Sequence, residues 1–151
     1  MRHSSGRLPK QTVIAALGAL SLIGAGCSGL FGPDDGRAGM ACLDDSPECV
    51  EQRQVALKSM MADKDRKWVK EPATAQAHAS GVRLFAYRSR KKELSCEELA
   101  HGKREADNAP KSLRGPDGKG LSPAQISRAT MFAAEVSKEL GAEIRLRRCR
   151  A

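Results

Sequence analysis

The shortage of large aromatic side chains sets the tightest limit on what this chain can fold into. Phe31, Trp68, Phe85, Tyr87 and Phe132 are all it has in 151 residues. Aromatic rings bury the most area per residue. A domain with so few of them gains less from burial and profits from covalent cross-links. Fold class must therefore be read from periodicity and from the cysteines.

The first 27 residues set the compartment. Arg2, Arg7 and Lys10 form a basic start without an acid. Thr12–Ile23 then runs without a charge, and Gly24-Ala25-Gly26 leads to Cys27. A charged segment, a short apolar segment and small residues before a cut are the parts of an export signal. The uncharged stretch Gln11–Pro33 is also long enough to serve as an uncleaved anchor, and a secretory signal cut nearby is a third reading. Small residues followed directly by Cys resemble the lipobox of bacterial lipoproteins. Ala25 and Gly26 match that pattern, while Gly24 stands where the family usually has Leu. The resemblance covers residues 1–27 only. It implies cleavage before Cys27, a lipid on Cys27 and a membrane attachment through that lipid. Ser28 resembles the residue following the Cys in lipoproteins sorted to the outer membrane. The expected location is the outer side of the cytoplasmic membrane, or the outer membrane facing the periplasm.

Removing residues 1–26 from 151 leaves 125, enough for one domain. The expected organisation is a signal peptide at 1–26, a flexible tether at 27–45 and a helical domain at 46–151. Taking Arg2, Arg7 and Lys10 from 26 basic residues leaves 23 against 18 acidic ones, a net charge of +5.

Periodicity predicts a small all-α bundle of about four helices. Helix one starts at Ser46-Pro47, with a capping Ser, Pro in the first turn and Glu48 and Glu51 behind it. Val50, Leu57, Met61 and Trp68 form its expected buried stripe, which stops before Pro72. The alanines at 73, 75, 77 and 79 favour helix across 73–92. Gly81–Phe85 also alternates as a strand would, but no second strand-like run lies nearby to pair with it. Ser95 opens the next helix, expected to end before Pro110. Ser122-Pro123 opens the last, which carries Ile126, Met131, Phe132, Val136 and Leu140 and is expected to stop at Gly141. The glycine-rich run between them reads as a turn.

Apart from Cys27 the chain has Cys42, Cys49, Cys96 and Cys149, an even number that reads as two disulfides outside the cytoplasm. With four antiparallel helices in sequence, all four cysteines gather at one end of the bundle. That topology favours Cys49–Cys96 with Cys42–Cys149, closely followed by Cys42–Cys96 with Cys49–Cys149. A local Cys42–Cys49 pair stays open, because spacing does not fix connectivity.

The sequence points to no catalytic set and to no cofactor. Glu97, His101 and Glu105 share a helix face but supply only half a metal site, and no metal is expected. There is no nucleotide-binding glycine loop and no aromatic interleaving for nucleic acid. Two basic clusters remain: Arg83, Arg88, Arg90, Lys91 and Lys92, and Arg145, Arg147, Arg148 and Arg150. The helix order sends both to the cysteine end. There Arg88, Arg90, Lys91, Lys92, Arg147 and Arg148 would face an anionic envelope component or an acidic protein, against the plainer reading of a solvated surface. The expected role is binding or structural rather than enzymatic. The alternative is a small exported enzyme, or an inhibitor or chaperone of one.

Overall fold

A computed structural model of the protein describes residues 39–150. The expected signal peptide, Cys27 and residues 27–38 of the tether lie outside the described residues. Among the described residues the protein is all helical, with no strand. Residues 39–41 are helical, and six further α-helices follow where about four were expected in all: α1 (Pro47–Ala62), α2 (Lys67–Lys70), α3 (Ala75–Ser80), α4 (Val82–Arg90), α5 (Cys96–Arg114) and α6 (Pro123–Leu146). A 3-10 turn at Pro116–Gly118 joins the last two.

Each added break has a local cause. The first expected helix divides after Ala62, where the Asp63 carboxylate accepts from the backbone N–H of Asp65 at 3.0 Å and of Lys67 at 2.7 Å. A short acidic side chain offers the backbone an alternative to the helix ladder in this way. Arg66 takes a left-handed conformation, φ 49°, before α2. Across 73–92 the chain is helical, but Gly81 at φ 73° ends α3 and redirects the chain into α4.

The other two ends move outward. α5 does not stop before Pro110; it runs on to Arg114. Pro110 costs one backbone hydrogen bond, but Ala109 and Leu113 on the same stretch are fully buried and hold the last turn in place. α6 passes through Gly141 instead of ending there. Gly141 is buried where α6 meets α5: an added Cβ would lie 3.4 Å from Lys103 Cε. α6 instead ends around Arg148, φ 52°, with Cys149 N–H bonded to Ile144 O and Arg148 N–H to Arg145 O. That is a Schellman pattern carried by Arg where Gly is usual, so no sequence signal marked it.

The caps at Ser46, Ser95 and Ser122 form as expected. Each hydroxyl accepts from a backbone N–H three residues on at 3.2 Å, and Ser95 and Ser122 complete capping boxes with Glu98 and Gln125.

Helix direction is where the structure departs most from a simple up-and-down bundle. Arg90 at the end of α4 bonds Met61 O at the end of α1, and Val82 and Val50 near their starts line one trough, so these two helices are parallel. Gly81 faces Phe132, and Arg88 pairs with Glu135 and Glu139, so α4 and α6 are parallel too. Of the long helices, α5 runs against them. The chain climbs back between α1 and α3 through α2 and an extended stretch rather than through a long helix. Arg83 reaches Trp68 O and Glu71 O, Tyr87 reaches Val69 O, and Gln76 reaches Asp117 O.

This path separates the disulfides. The structure pairs Cys42 with Cys49 and Cys96 with Cys149, with Cα–Cα distances of 5.3 and 5.4 Å. Both long-range pairings favoured by the antiparallel model are therefore corrected, as is the gathering of the cysteines at one end. Leu43 O accepts from Gln125 and Asp45 pairs with Arg128, near the start of α6. Cys149 lies past its end. At 1.5 Å per residue the two bridges sit roughly 30 Å apart along α6. Residues 39–45, expected as the end of the tether, lie against the domain: Gly39 is buried, and Met40 and Leu43 pack on the core.

The core is built from small and aliphatic residues. Leu84, Leu94, Leu99, Leu113, Val136 and Leu140 are fully buried, interleaved with Ala56, Ala86, Ala106, Ala109 and Ala133. Trp68 packs edge-on to Tyr87 with ring centroids 4.8 Å apart. The buried stripe of α1 is Cys49, Ala56 and Met60, one residue round from the expected one. Val50 and Leu57 are only half-buried, and Met131 on α6 is exposed.

Candidate functional site

The residues expected to form a basic surface divide three ways. Arg83 leaves the surface altogether, being 1% exposed. Its Nε and one terminal nitrogen each donate to a Glu105 carboxylate oxygen at 2.8 Å. The two terminal nitrogens also reach Trp68 O and Glu71 O. Tyr87 Oη donates to Glu105 at 3.2 Å and meets His101 Nδ1 at 3.1 Å. Burial works against the Arg83 charge, but the adjoining carboxylate more than offsets it and keeps Arg83 protonated. Burial, aided by the same carboxylate, pushes the Tyr87 phenol far above its usual range, so it stays neutral.

Arg88, Arg90 and Lys91 are held by partners. Arg88 bonds Glu135 at 2.9 Å and Glu139 at 2.8 Å; Lys91 also bonds Glu139, and Arg90 bonds Glu93 and Met61 O. Lys91, with Arg88 behind it, holds the Glu139 carboxyl below its usual range. These three side chains stitch α4 to its neighbours. Lys92, Arg145, Arg147, Arg148 and Arg150 are exposed, and none has a carboxylate partner among the described residues. Arg147 donates to Leu94 O and Cys149 is bonded to Cys96. The tail thus lies beside the α4–α5 junction, and the two clusters meet at that end.

Glu97, His101 and Glu105 do not converge on one point. Glu97 is exposed, His101 faces Tyr87, and Glu105 is committed to Arg83. Among the described residues no group of three or more metal-ligating side chains is present.

The sequence reading missed a groove. α1, α4 and α6 leave an open trough of about 490 Å³ between them, floored by His78 and Ala79 of α3. Val50 and Leu57 line one wall, Val82 and Phe85 another, Ala129 and Phe132 the third. Phe85 is 44% exposed. The only charged residues lining the trough are Arg53 and Arg128. His78 is 3% exposed and its Nδ1 has no hydrogen-bond partner. Burial holds His78 below its usual value; Glu105 opposes that shift and Arg83 adds to it. The stripe Val50–Leu57 was the available signal, but it read as core.

No protein-family model matches the chain, and no curated protein or solved structure is similar to it.

Proposed function

We propose that this is an exported protein held at a membrane by a lipid on Cys27, with a helical body that binds or braces rather than catalyses. The observation that carries this reading is the order of Arg2, Arg7 and Lys10, the uncharged Thr12–Ile23, and Gly24-Ala25-Gly26 before Cys27. The even set of cysteines in the body fits an oxidising compartment. Among the described residues no helix is long and apolar enough to cross a membrane. The contact surface is the basic end beside Cys96–Cys149, carried by Lys92, Arg147 and Arg148 with Arg88, Arg90 and Lys91 behind them. Its partner is an anionic envelope component or an acidic protein.

Intact mass and membrane partition test the attachment. Wild-type protein extracted from its membrane is expected to lack residues 1–26 and to carry acyl mass on Cys27. Cys27→Ser should lose that acyl mass and leave an uncleaved or a soluble form. Equal masses and equal partition for the two would overturn the reading.

A further inference from the structure

The end of α6 and the residues after it carry charge that the fold does not use. Among the described residues, Lys92, Arg145, Arg147, Arg148 and Arg150 are exposed and pair with no carboxylate. Around them Glu135, Glu139, Glu93 and Glu98 are already bound to Arg88, Lys91, Arg90 and Arg66. In the adjoining turn Asp63 and Asp65 are balanced in number by Lys64 and Lys67. Glu97 and Glu143 remain, so five unpaired cations stand against two unpaired carboxylates.

Two further features mark this end. Leu146 is 77% exposed, more than any other large apolar side chain among the described residues. Single exposed apolar residues are ordinary, but this one stands between Arg145 and Arg147. The second feature is Arg148, at φ 52°. A left-handed backbone disfavours a residue with a long side chain. Arg66, at φ 49°, shares that conformation and uses its side chain to bond Glu98 at 2.8 Å. Arg148 has no such bond among the described residues, so the fold gains nothing from arginine there.

These side chains are presented from a fixed turn. Cys149 is tied to Cys96, its N–H is bonded to Ile144 O, and Arg147 donates to Leu94 O. Holding the contact residues in place lowers the cost of binding. An acidic protein or polymer would take the charges but leave Leu146 in water. A bilayer takes both, with arginines among the headgroups and the leucine just beneath them. The twelve residues from Cys27 to Gly39 extend at most about 40 Å, which lets this end turn onto the bilayer that a lipid on Cys27 would occupy.

We propose that the basic end docks on anionic phospholipid, with Arg145, Arg148 and Arg150 at the headgroups and Leu146 inserted between them. This rests on the reading of the basic end given above and names its partner.

The test uses the full chain with Leu146→Trp, reconstituted in nanodiscs of phosphatidylcholine alone and of phosphatidylcholine mixed with phosphatidylglycerol. Trp68, the chain's own tryptophan, is 5% exposed and gives a constant background. Anionic nanodiscs should shift the reporter's emission to the blue and let brominated lipid quench it. Neutral ones should leave it emitting as in water. Salt at about 1 M, where the Debye length is about 3 Å, should reverse the shift. Arg145→Ser, Arg148→Gly and Arg150→Ser together should weaken docking roughly a hundredfold, at about fivefold per cation, with Tm unchanged. Equal emission in both lipids, or undiminished docking of the triple variant, overturns the proposal. So does a shift given by soluble poly-glutamate and not by anionic nanodiscs, which assigns the end to an acidic polymer. So does a reporter shielded already in neutral nanodiscs and exposed by Asp34→Asn with Asp35→Asn, which gives the end to the chain's own acidic pair. Protein that does not stay with neutral nanodiscs counts against the lipid on Cys27, and the anionic nanodiscs decide the basic end either way.

Discussion

Replacing Glu105 by Gln should be among the most damaging single changes this domain can suffer. The side chain keeps its shape, but the fully buried Arg83 loses its countercharge, and the amide keeps only one acceptor oxygen, so one of the two 2.8 Å contacts is left donor against donor. Removing one partner of a buried ion pair costs about 3–5 kcal/mol, because the remaining charge stays in a medium that solvates it poorly. Domains of this size have about 5–15 kcal/mol in total. A loss of 1 kcal/mol moves the melting midpoint by about 4–8 °C in a domain of 60–100 residues. Glu105→Gln should therefore lower Tm by at least about 12 °C, read by far-UV circular dichroism.

The double variant Arg83→Met, Glu105→Leu separates charge from hydrogen bonding. It removes both charges together, so it should recover much of the single-variant loss. It also leaves Trp68 O and Glu71 O without their donor. An unsatisfied buried carbonyl costs about 1–3 kcal/mol, and Glu71 is open enough for water to take over. The double variant should lie about 1–3 kcal/mol below wild type and above Glu105→Gln. If Glu105→Gln unfolds within about 1 kcal/mol of wild type, the pair is not a structural centre and the reasoning fails.

Gly102→Ala should destabilise, against helix propensity. Ala is worth about 1 kcal/mol over Gly in a helix, but the added Cβ would sit 2.5 Å from Tyr87 Cδ1, and Tyr87 is fully buried. Overpacking of about 1–3 kcal/mol should win; a raised Tm would show that the ring can move. The disulfides should differ in weight. The chain-entropy model gives about 4 kcal/mol for the 53-residue separation of Cys96–Cys149 and about 2 for the 7-residue separation of Cys42–Cys49. Urea titration of the two double-Ala variants checks the order, and a larger loss from the short loop would refute it. His78 should make the domain acid-sensitive. Its folded-state value lies below the ordinary 6.5, so below about pH 6.5 the unfolded chain binds the extra proton first and stability falls with pH. His78→Gln should flatten that slope, and an unchanged slope would assign it elsewhere.

Helix starts were legible and helix directions were not. Ser46, Ser95 and Ser122 carry their caps within four residues, so a local reading finds them. The breaks at Asp63 and Gly81 depend on weaker signals, because Asp and Gly each occur inside longer helices elsewhere. Direction depends on the return from Ala62 to Ala75, which looked like the end of one helix and the start of another. Carrying helix one on through Trp68 to a turn at Pro72 reversed the expected polarity of α1, and the disulfide pairing failed with it. The same error hid the groove. Val50 and Leu57 have the spacing of a core stripe, and only the crossing of α1 over α4 and α6 decides that Cys49, Ala56 and Met60 face inward instead. Arg83 was counted with its basic neighbours because a charge in an alternating run gives no sign of a partner 22 residues away.

The buried Arg83 cluster also answers a question posed by the shortage of aromatics. Alanine faces such as Ala56, Ala86, Ala106, Ala109 and Ala133 let helices approach closely, but their side chains are too uniform to favour one register strongly over the next. Sliding α4 past α5 by one turn, about 5.4 Å, would leave much of that apolar contact intact. It would break every bond that Arg83 makes, because the guanidinium fork fits Glu105, Trp68 O and Glu71 O from one position only. Trp68 and Tyr87, two of the few large rings, pack against each other at that same point. The extended stretch after α2 is held there by carbonyl contacts rather than by a helix of its own. On this argument the apolar core supplies most of the stability, while the cluster around Arg83 selects the topology: three parallel helices with the groove between them.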